Sequence, residues 1–282
     1  MGRTAVVHLV RRANGTRALE SFLDSYRRHA AGLEHELVLL CKGFDSEAQF
    51  AEYEPVVDSI PHSRMFVPDT GFDIGSYRLA LEATDFDEYC FLNSFSILLA
   101  PDWLAKLSRC LHRPGVGLVG ATGSYESTLE NLRAEIRSIR GFFRRRKLLA
   151  LLRLGGMWRT YPSFPNPNLR TNAILGRREL LCELFPRDIR TKEDALAFES
   201  GRNGLTRQIQ VRGLQTLVVG RDGVGYAPED WPASRTFRLQ DQANLLVADN
   251  QTEAYARAAA EQQRWLTQIA WGDAARAADQ PA

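Results

Sequence analysis

Phe91-Leu92-Asn93-Ser94-Phe95-Ser96, running through Ile97-Leu98-Leu99-Ala100 into Pro101-Asp102-Trp103-Leu104, decides the fold reading of this chain. Apolar side chains stop abruptly at small polar ones, which predicts a buried strand, a turn, and a helix over about residues 101–112. The alternation continues on either side. Thr4 to Val10 reads as a buried first strand, broken by Arg11-Arg12-Ala13-Asn14-Gly15. Thr16 is placed to cap a helix over roughly 17–30, whose Leu19, Phe22, Leu23 and Tyr26 recur at helical spacing. Glu36 to Cys41 and Arg64 to Val67 read as further strands, the second followed by a loop to Ser76 and a helix from about Tyr77 to Thr84. With Val116 to Gly120 as the next strand, this predicts an α/β fold: a mostly parallel sheet with ligand-binding loops at the strand C-termini.

The second half is less regular. Residues 131–160 form a basic insertion in which Arg133, Arg137, Arg140, Arg144, Arg145, Arg146, Lys147 and Arg153 alternate with Ile, Phe and Leu. Such an amphipathic stretch fits an anionic membrane surface through residues 133–153, or a solvated helix packing one face on the core. Tyr161 to Asn168, rich in Pro and Asn, must be irregular. Arg170 to Leu175 reads as a strand, Arg177 to Leu184 as a helix, Leu205 to Arg212 as a helix closed by Gly213, and Gln215 to Val219 as a strand. The expected organisation is a sheet domain over 1–235, a helical extension over 236–272 and a frayed tail over 273–282.

Composition narrows the function classes. A net charge of +2 argues against nucleic acid as a partner. Cys41, Cys90, Cys110 and Cys182 include no C-x-x-C pair, and the five histidines are scattered, so no metal site is expected and a cytoplasmic location is the default. No signal-like segment precedes the first strand, and no apolar run is long enough to span a bilayer, so any membrane contact would be peripheral, on the inner face.

Several motifs together resemble GT-A-fold glycosyltransferases, in particular rhamnan-synthesis-type and family-2-like bacterial transferases. Val6 to Tyr26 looks like their first strand, loop and helix, with Asn14 on the Asn of their Pro-x-Tyr-Asn. Glu36-Leu37-Val38-Leu39-Leu40-Cys41-Lys42-Gly43 is similar to their Glu-x-x-Val-Val-Asp-Asp-Gly. Phe91 to Leu104 resembles their Phe-Leu-Asp-x-Asp followed by Pro-Asp-x-Leu, and Phe72-Asp73-Ile74-Gly75-Ser76-Tyr77 their Asp-Ile-Gly segment. The resemblance covers about residues 4–220. It implies a Rossmann-like sheet and transfer of a sugar from a nucleotide-sugar or polyprenyl-phosphate donor to a glycan or lipid-linked acceptor in bacterial surface polysaccharide synthesis.

The departures shape the mechanism. Cys41 and Lys42 stand where the family has its nucleobase-contacting acids, and Asn93 and Phe95 where it has metal-binding carboxylates. A divalent ion needs hard oxygen ligands, and Phe95 has none. Metal-independent transfer without a cofactor is therefore expected, the diphosphate being neutralised by cations such as Arg11, Lys42, Arg170 and Arg238; it is read as inverting, with a retaining enzyme as the alternative that would not need Glu199 as base. Asn14, Asp73, Gly75, Asn93, Ser94 and Ser96 are the other candidate donor contacts, and Asn168 a candidate on the acceptor side. The resemblance implies a general base from an acidic pair placed before a helix that runs to a glycine about a dozen residues later, and two acids here compete for that role: Glu199, which counting back from Gly213 favours, and Asp194 of Glu193-Asp194. The bland alternative makes both solvated acids at a helix terminus. A catalytically inactive GT-A-like binding module would also explain the missing acids. A nucleotidyltransferase fits less well, because Arg11 to Gly15 holds a single glycine.

Overall fold

Runs that are apolar at every position need cover on both faces, and the chain supplies it with helices on either side of one large sheet. The computed structural model describes residues 2–138 and 155–277. The strands are β1 (Thr4–Arg11), β2 (Glu36–Lys42), β3 (Ser63–Val67), β4 (Glu88–Leu92), β5 (Ile97–Leu98) and β6 (Val116–Gly120). They continue with β7 (Gly123–Ser124), β8 (Asn168–Leu169), β9 (Ile174–Arg177), β10 (Gln215–Val219), β11 (Gly225–Tyr226) and β12 (Val247–Ala248). The helices are α1 (Thr16–Arg28), α2 (Glu54–Val57), α3 (Phe72–Ala83), α4 (Trp103–Leu111), α5 (Thr128–Ser138) and α6 (155–160). After them come α7 (Arg178–Leu184), α8 (Lys192–Ser200), α9 (Leu205–Val211), α10 (Asn250–Arg257), α11 (Ala260–Trp271) and α12 (Ala274–Ala277).

The eight-stranded sheet has the order β11-β10-β6-β9-β4-β1-β2-β3. Strands β3, β2, β1 and β4 are mutually parallel, with Val7 of β1 facing Val38 on one side and Phe91 on the other. Strand β9 runs antiparallel between β4 and β6. The side-chain alternation of β1 divides the core in two. Ala5, Val7 and Leu9 pack with Tyr77 and Phe91 on one face, and Val6 and Val10 pack with Phe22 and Trp103 on the other. Tyr77 of α3 stacks on Phe91 with ring centroids 4.4 Å apart, which fixes α3 against the sheet. Truncating the fully buried Phe91 to Ala costs about 3–5 kcal/mol.

Four expectations need correction. Thr16 is not the cap of α1: Gly15, at φ 67°, occupies the cap position and no side chain bonds there. The third helix starts at Phe72, after a left-handed Gly71, so the Asp-Ile-Gly segment is helix rather than loop. Of the expected strand over Arg170 to Leu175 only Ile174 and Leu175 are strand, at the start of β9: β8 ends at Leu169, and 170–173 form a turn that contains Ala173 at φ 54°. The helical extension does not begin at 236: residues 235–249 are largely irregular, with Arg235, Arg238, Gln240 and Gln242 all at positive φ, and α10 starts at Asn250.

Trp271 of α11 is buried in the same core as Val7 and donates its ring N–H to the Phe237 carbonyl at 2.7 Å. Residues 274–277, within the stretch expected to fray, form a short helix with Ala275 buried. Most of the basic stretch expected to touch a membrane, Arg140 to Arg153, lies outside the described residues. Among the described residues no helix is long and apolar enough to cross a membrane.

Candidate active site

A cleft of about 730 Å³ opens where β1 and β4 end, walled by Arg11 and Asn14 on one side and Asn93, Ser94 and Phe95 on another. The turn between β8 and β9, the end of α8 and the start of α10 complete it with Arg170, Glu199 and Asp249. Of the sequence-predicted residues, Arg11, Asn14, Asp73, Asn93, Ser94, Asn168, Arg170 and Glu199 line this one cavity. Lys42, Gly75, Ser96, Asp194 and Arg238 do not.

The two candidate bases lie at opposite ends of α8. Asp194 is exposed at its start, in a capping box: Thr191 Oγ1 accepts from the Asp194 N–H at 3.1 Å, and Asp194 Oδ2 accepts from the Thr191 N–H at 2.8 Å and the Arg190 N–H at 3.1 Å. The Thr191 backbone and hydroxyl bonds, then the Arg190 N–H, hold its carboxyl below the usual range. Asp194 faces a separate hollow of about 610 Å³ between α5, α6 and α8. Glu199, near the other end, is partly buried, and its Oε1 accepts from the Thr171 hydroxyl at 2.5 Å. Burial pushes its carboxyl up, against the Thr171 bond and the Arg170 charge, while Asp73 adds to the rise. The solvated helix-terminus reading thus describes Asp194 and not Glu199, which sits at the end where the dipole is negative.

The stretch 93–96 is a side-chain-braced turn. Asn93 Oδ1 accepts from the Phe95 N–H at 2.9 Å and the Ser96 hydroxyl at 3.3 Å, and the Ser96 N–H donates to the Asn93 carbonyl at 3.2 Å. Asn172 Oδ1 ties this turn to the opposite wall, accepting from the Asn93 N–H at 3.1 Å and the Ser96 hydroxyl at 2.6 Å. Ser96, fully buried, is therefore a brace rather than a donor contact. Phe95 stands 42% exposed in the cleft. A divalent ion of the kind the resemblance implies does not fit at 93 and 95, because the Asn93 oxygen is engaged and Phe95 offers none. Among the described residues no group of three or more His, Cys, Asp or Glu is arranged to hold a metal ion.

Lys42 is buried, and its ammonium donates to the Thr70 carbonyl at 3.0 Å and to the Phe72 carbonyl, pinning the loop ahead of α3. Burial lowers its pKa, opposed by Asp73 and Asp69. Asp73 sits in the first turn of α3 and is not its cap. Burial raises its carboxyl, opposed by Lys42 and Arg11. Gly75 stays out of the cleft, and a Cβ there would meet only the Thr70 carbonyl at 4.0 Å; the glycine this turn requires is Gly71, at φ 69° and with 3.1 Å between an added Cβ and the Gly75 Cα. Arg11 reaches the cleft while paired with Asp69 at 3.2 Å.

Behind the cleft, the guanidinium groups of Arg170 and Arg238 lie over the Phe237 ring at 4.5 and 4.8 Å. Arg170 pairs with the nearly buried Asp249 at 3.5 Å, and Arg238 with Glu126 at 2.5 Å. Arg238 is committed to this network and braces the wall. Burial lowers its pKa, opposed by Glu126. Asn166 and Asn168 are also structural: Asn166 Nδ2 donates to the Ser200 carbonyl at 2.8 Å, and Asn168 Nδ2 to the Asn166 carbonyl at 2.7 Å.

Sequence reasoning missed Glu126, Thr171 and Lys192 as cleft residues. Thr171 had a findable signal, being next to Arg170 in an Asn-rich segment, whereas Glu126 and Lys192 have no local pattern that marks them.

No protein-family model and no curated protein matches the chain. Among solved structures it is similar to the mannosyltransferase PcManGT from Pyrobaculum calidifontis in complex with GDP-Man and Mn2+, at 16% identity and TM-score 0.48, over 98% of this chain and 74% of that one. It is also similar to mouse xyloside xylosyltransferase 1, at 13% identity and TM-score 0.43, over 77% of this chain and 85% of that one. A third is 4-diphosphocytidyl-2C-methyl-D-erythritol synthase from Anaerococcus prevotii, at 12% identity and TM-score 0.42, over 77% and 87%. These likenesses concern the course of the chain and assign no chemistry to its residues.

Proposed function

We propose that the cleft transfers a glycosyl group from a phosphate-activated sugar donor to an acceptor hydroxyl, with inversion and without a bound metal. One observation carries the reading: Glu199, a carboxylate of raised proton affinity held by Thr171, faces a cleft that also contains Arg11, Arg170 and Lys192. In the step, Glu199 takes the proton of the acceptor hydroxyl as its oxygen bonds to the anomeric carbon. The bond from that carbon to the donor's phosphate oxygen breaks, and the electron pair leaves with the phosphate. Arg11, Arg170 and Lys192 offset the released charge, the arginines through paired N–H groups. Among the described residues Phe95 is the one exposed aromatic ring in the cleft wall, placed to stack on a base or sugar face. Arg170 must exchange part of its contact with Asp249 for phosphate, and their 3.5 Å separation is long for an ion pair of this kind.

A surface polysaccharide or lipid-linked acceptor rests on the sequence resemblance alone. A second reading, an inactive binding module, is favoured by the commitment of Asn93 to its turn. The test is turnover of a panel of nucleotide-sugars and a polyprenyl-phosphate sugar, with EDTA or with manganese. Sustained transfer in EDTA is expected. Transfer only with added metal removes the metal-free mechanism, and binding of nucleoside diphosphate without turnover of any donor supports the inactive module.

A further inference from the structure

Glu199 belongs to two cavities at once. Besides the cleft it lines a second hollow of about 370 Å³, sharing only Ser200 and Asn168 with it as other common walls. This hollow runs between the Pro162–Pro167 segment and the residues around α9. Apart from Glu199, its charged groups are Arg202 and Arg207, both exposed. Arg202 is held in place, its backbone N–H donating to the Thr160 carbonyl at 2.8 Å and its Nε to the Trp158 carbonyl at 3.2 Å. The Arg207 side chain makes no ion pair or hydrogen bond with any described residue. Two sets of cations thus flank one carboxylate: Arg11, Arg170 and Lys192 in the cleft, Arg202 and Arg207 in the second hollow. A displacement needs the acceptor hydroxyl beside the base and the leaving phosphate beside cations, and a carboxylate that lines both cavities can serve an acceptor in one and a donor in the other.

We propose that the second hollow binds the acceptor, and that the acceptor is an acidic saccharide whose carboxylate or phosphate group rests on Arg207 and Arg202 while its hydroxyl reaches Glu199. The proposal builds on the glycosyl-transfer reading and specifies its substrate class. A guanidinium fork matches a carboxylate or phosphate edge through two N–H bonds, and a neutral sugar leaves both forks without a charged partner. Ser163, Thr206 and Gln210 also line the hollow and can bond the hydroxyls of any sugar, so the charge contact is what separates acidic acceptors from neutral ones.

Saturation-transfer NMR on the full chain tests this with methyl glucuronide, glucose 6-phosphate and neutral methyl glucoside. One or both acidic probes should bind roughly tenfold more tightly than the neutral one, the scale of one charge-assisted bond. Binding by the glucuronide alone identifies a carboxylate as the group read, and by the sugar phosphate alone a phosphate. Arg207→Gln and Arg202→Gln should each bring the acidic probe towards the neutral level, while the thermal shift given by UDP or GDP stays as in the parent. Equal binding of neutral and acidic probes, no binding by either acidic probe, or an Arg207→Gln variant that binds them as the parent does would overturn the proposal. Arg207-dependent binding of an acidic probe, with no shift from any nucleoside diphosphate, would keep the acidic-saccharide site and remove the transfer reading.

Discussion

At the start of α8, Asp194 sits in water with backbone N–H groups pointed at it; near the helix's end, Glu199 sits partly buried with one hydroxyl donor and a second acid nearby. Both are carboxylates in one nine-residue helix, yet their proton affinities move in opposite directions. Free N–H groups stabilise charge at the first end, and burial penalises it at the second. Proton affinity here follows position in the fold, and the acid suited to accept a proton is the one the helix end does not stabilise.

The largest expected effect distinguishes the two ends directly. Glu199→Gln should cut the transfer rate by about 10²- to 10⁴-fold, the usual contribution of a general base. Asp194→Asn should leave initial rates unchanged, and a reversal of these outcomes would break the comparison. Next is Arg170→Ala, which leaves Asp249, 2% exposed, without its counter-charge and should lower unfolding stability by about 3 kcal/mol in a denaturant titration. The same substitution should move the acidic limb of the rate profile upward, since Arg170 is one of the groups holding Glu199's proton affinity down. Thr191→Ala removes the cap's hydroxyl acceptor and should cost about 1 kcal/mol with no change in rate.

The smallest effect is in the pH dependence of stability, where the two acids have opposite signs. Glu199 is raised in the folded state, so it favours folding below the ordinary carboxylate pKa, and that contribution is lost as pH rises through the raised value. Asp194 is lowered, so its contribution is present above the ordinary value and lost as pH falls through the depressed one. Difference titrations of Glu199→Gln and Asp194→Asn against the parent should therefore slope in opposite directions. Parallel slopes would mean that the environment of one acid has been misassigned.

The sheet was legible because its signals are local and repeated: Val6 to Val10 and Leu37 to Cys41 are apolar at nearly every position, and glycine or polar residues close them. The antiparallel sense of β9 had no such signal, since direction depends on partners distant in sequence. Glu199 was reachable only through the resemblance, which sets the count back from Gly213, and the grouping of Arg11, Asn93 and Arg170 followed from their positions at strand ends or loops. Lys42 and Arg238 were misread because a cation near a strand end or loop looks alike in sequence whether it faces a ligand or, as here, a carbonyl or a carboxylate. Burial separates the two cases, and burial is a property of the whole fold.

Because β9 enters the sheet against its neighbours, Asn172 arrives beside Asn93 from 79 positions later in the chain. Loop closure over that span comes before any local gain from the contact. During synthesis the first half of the chain can pair its parallel strands while this wall of the cleft is still missing, so the cleft closes only once the second half has been made.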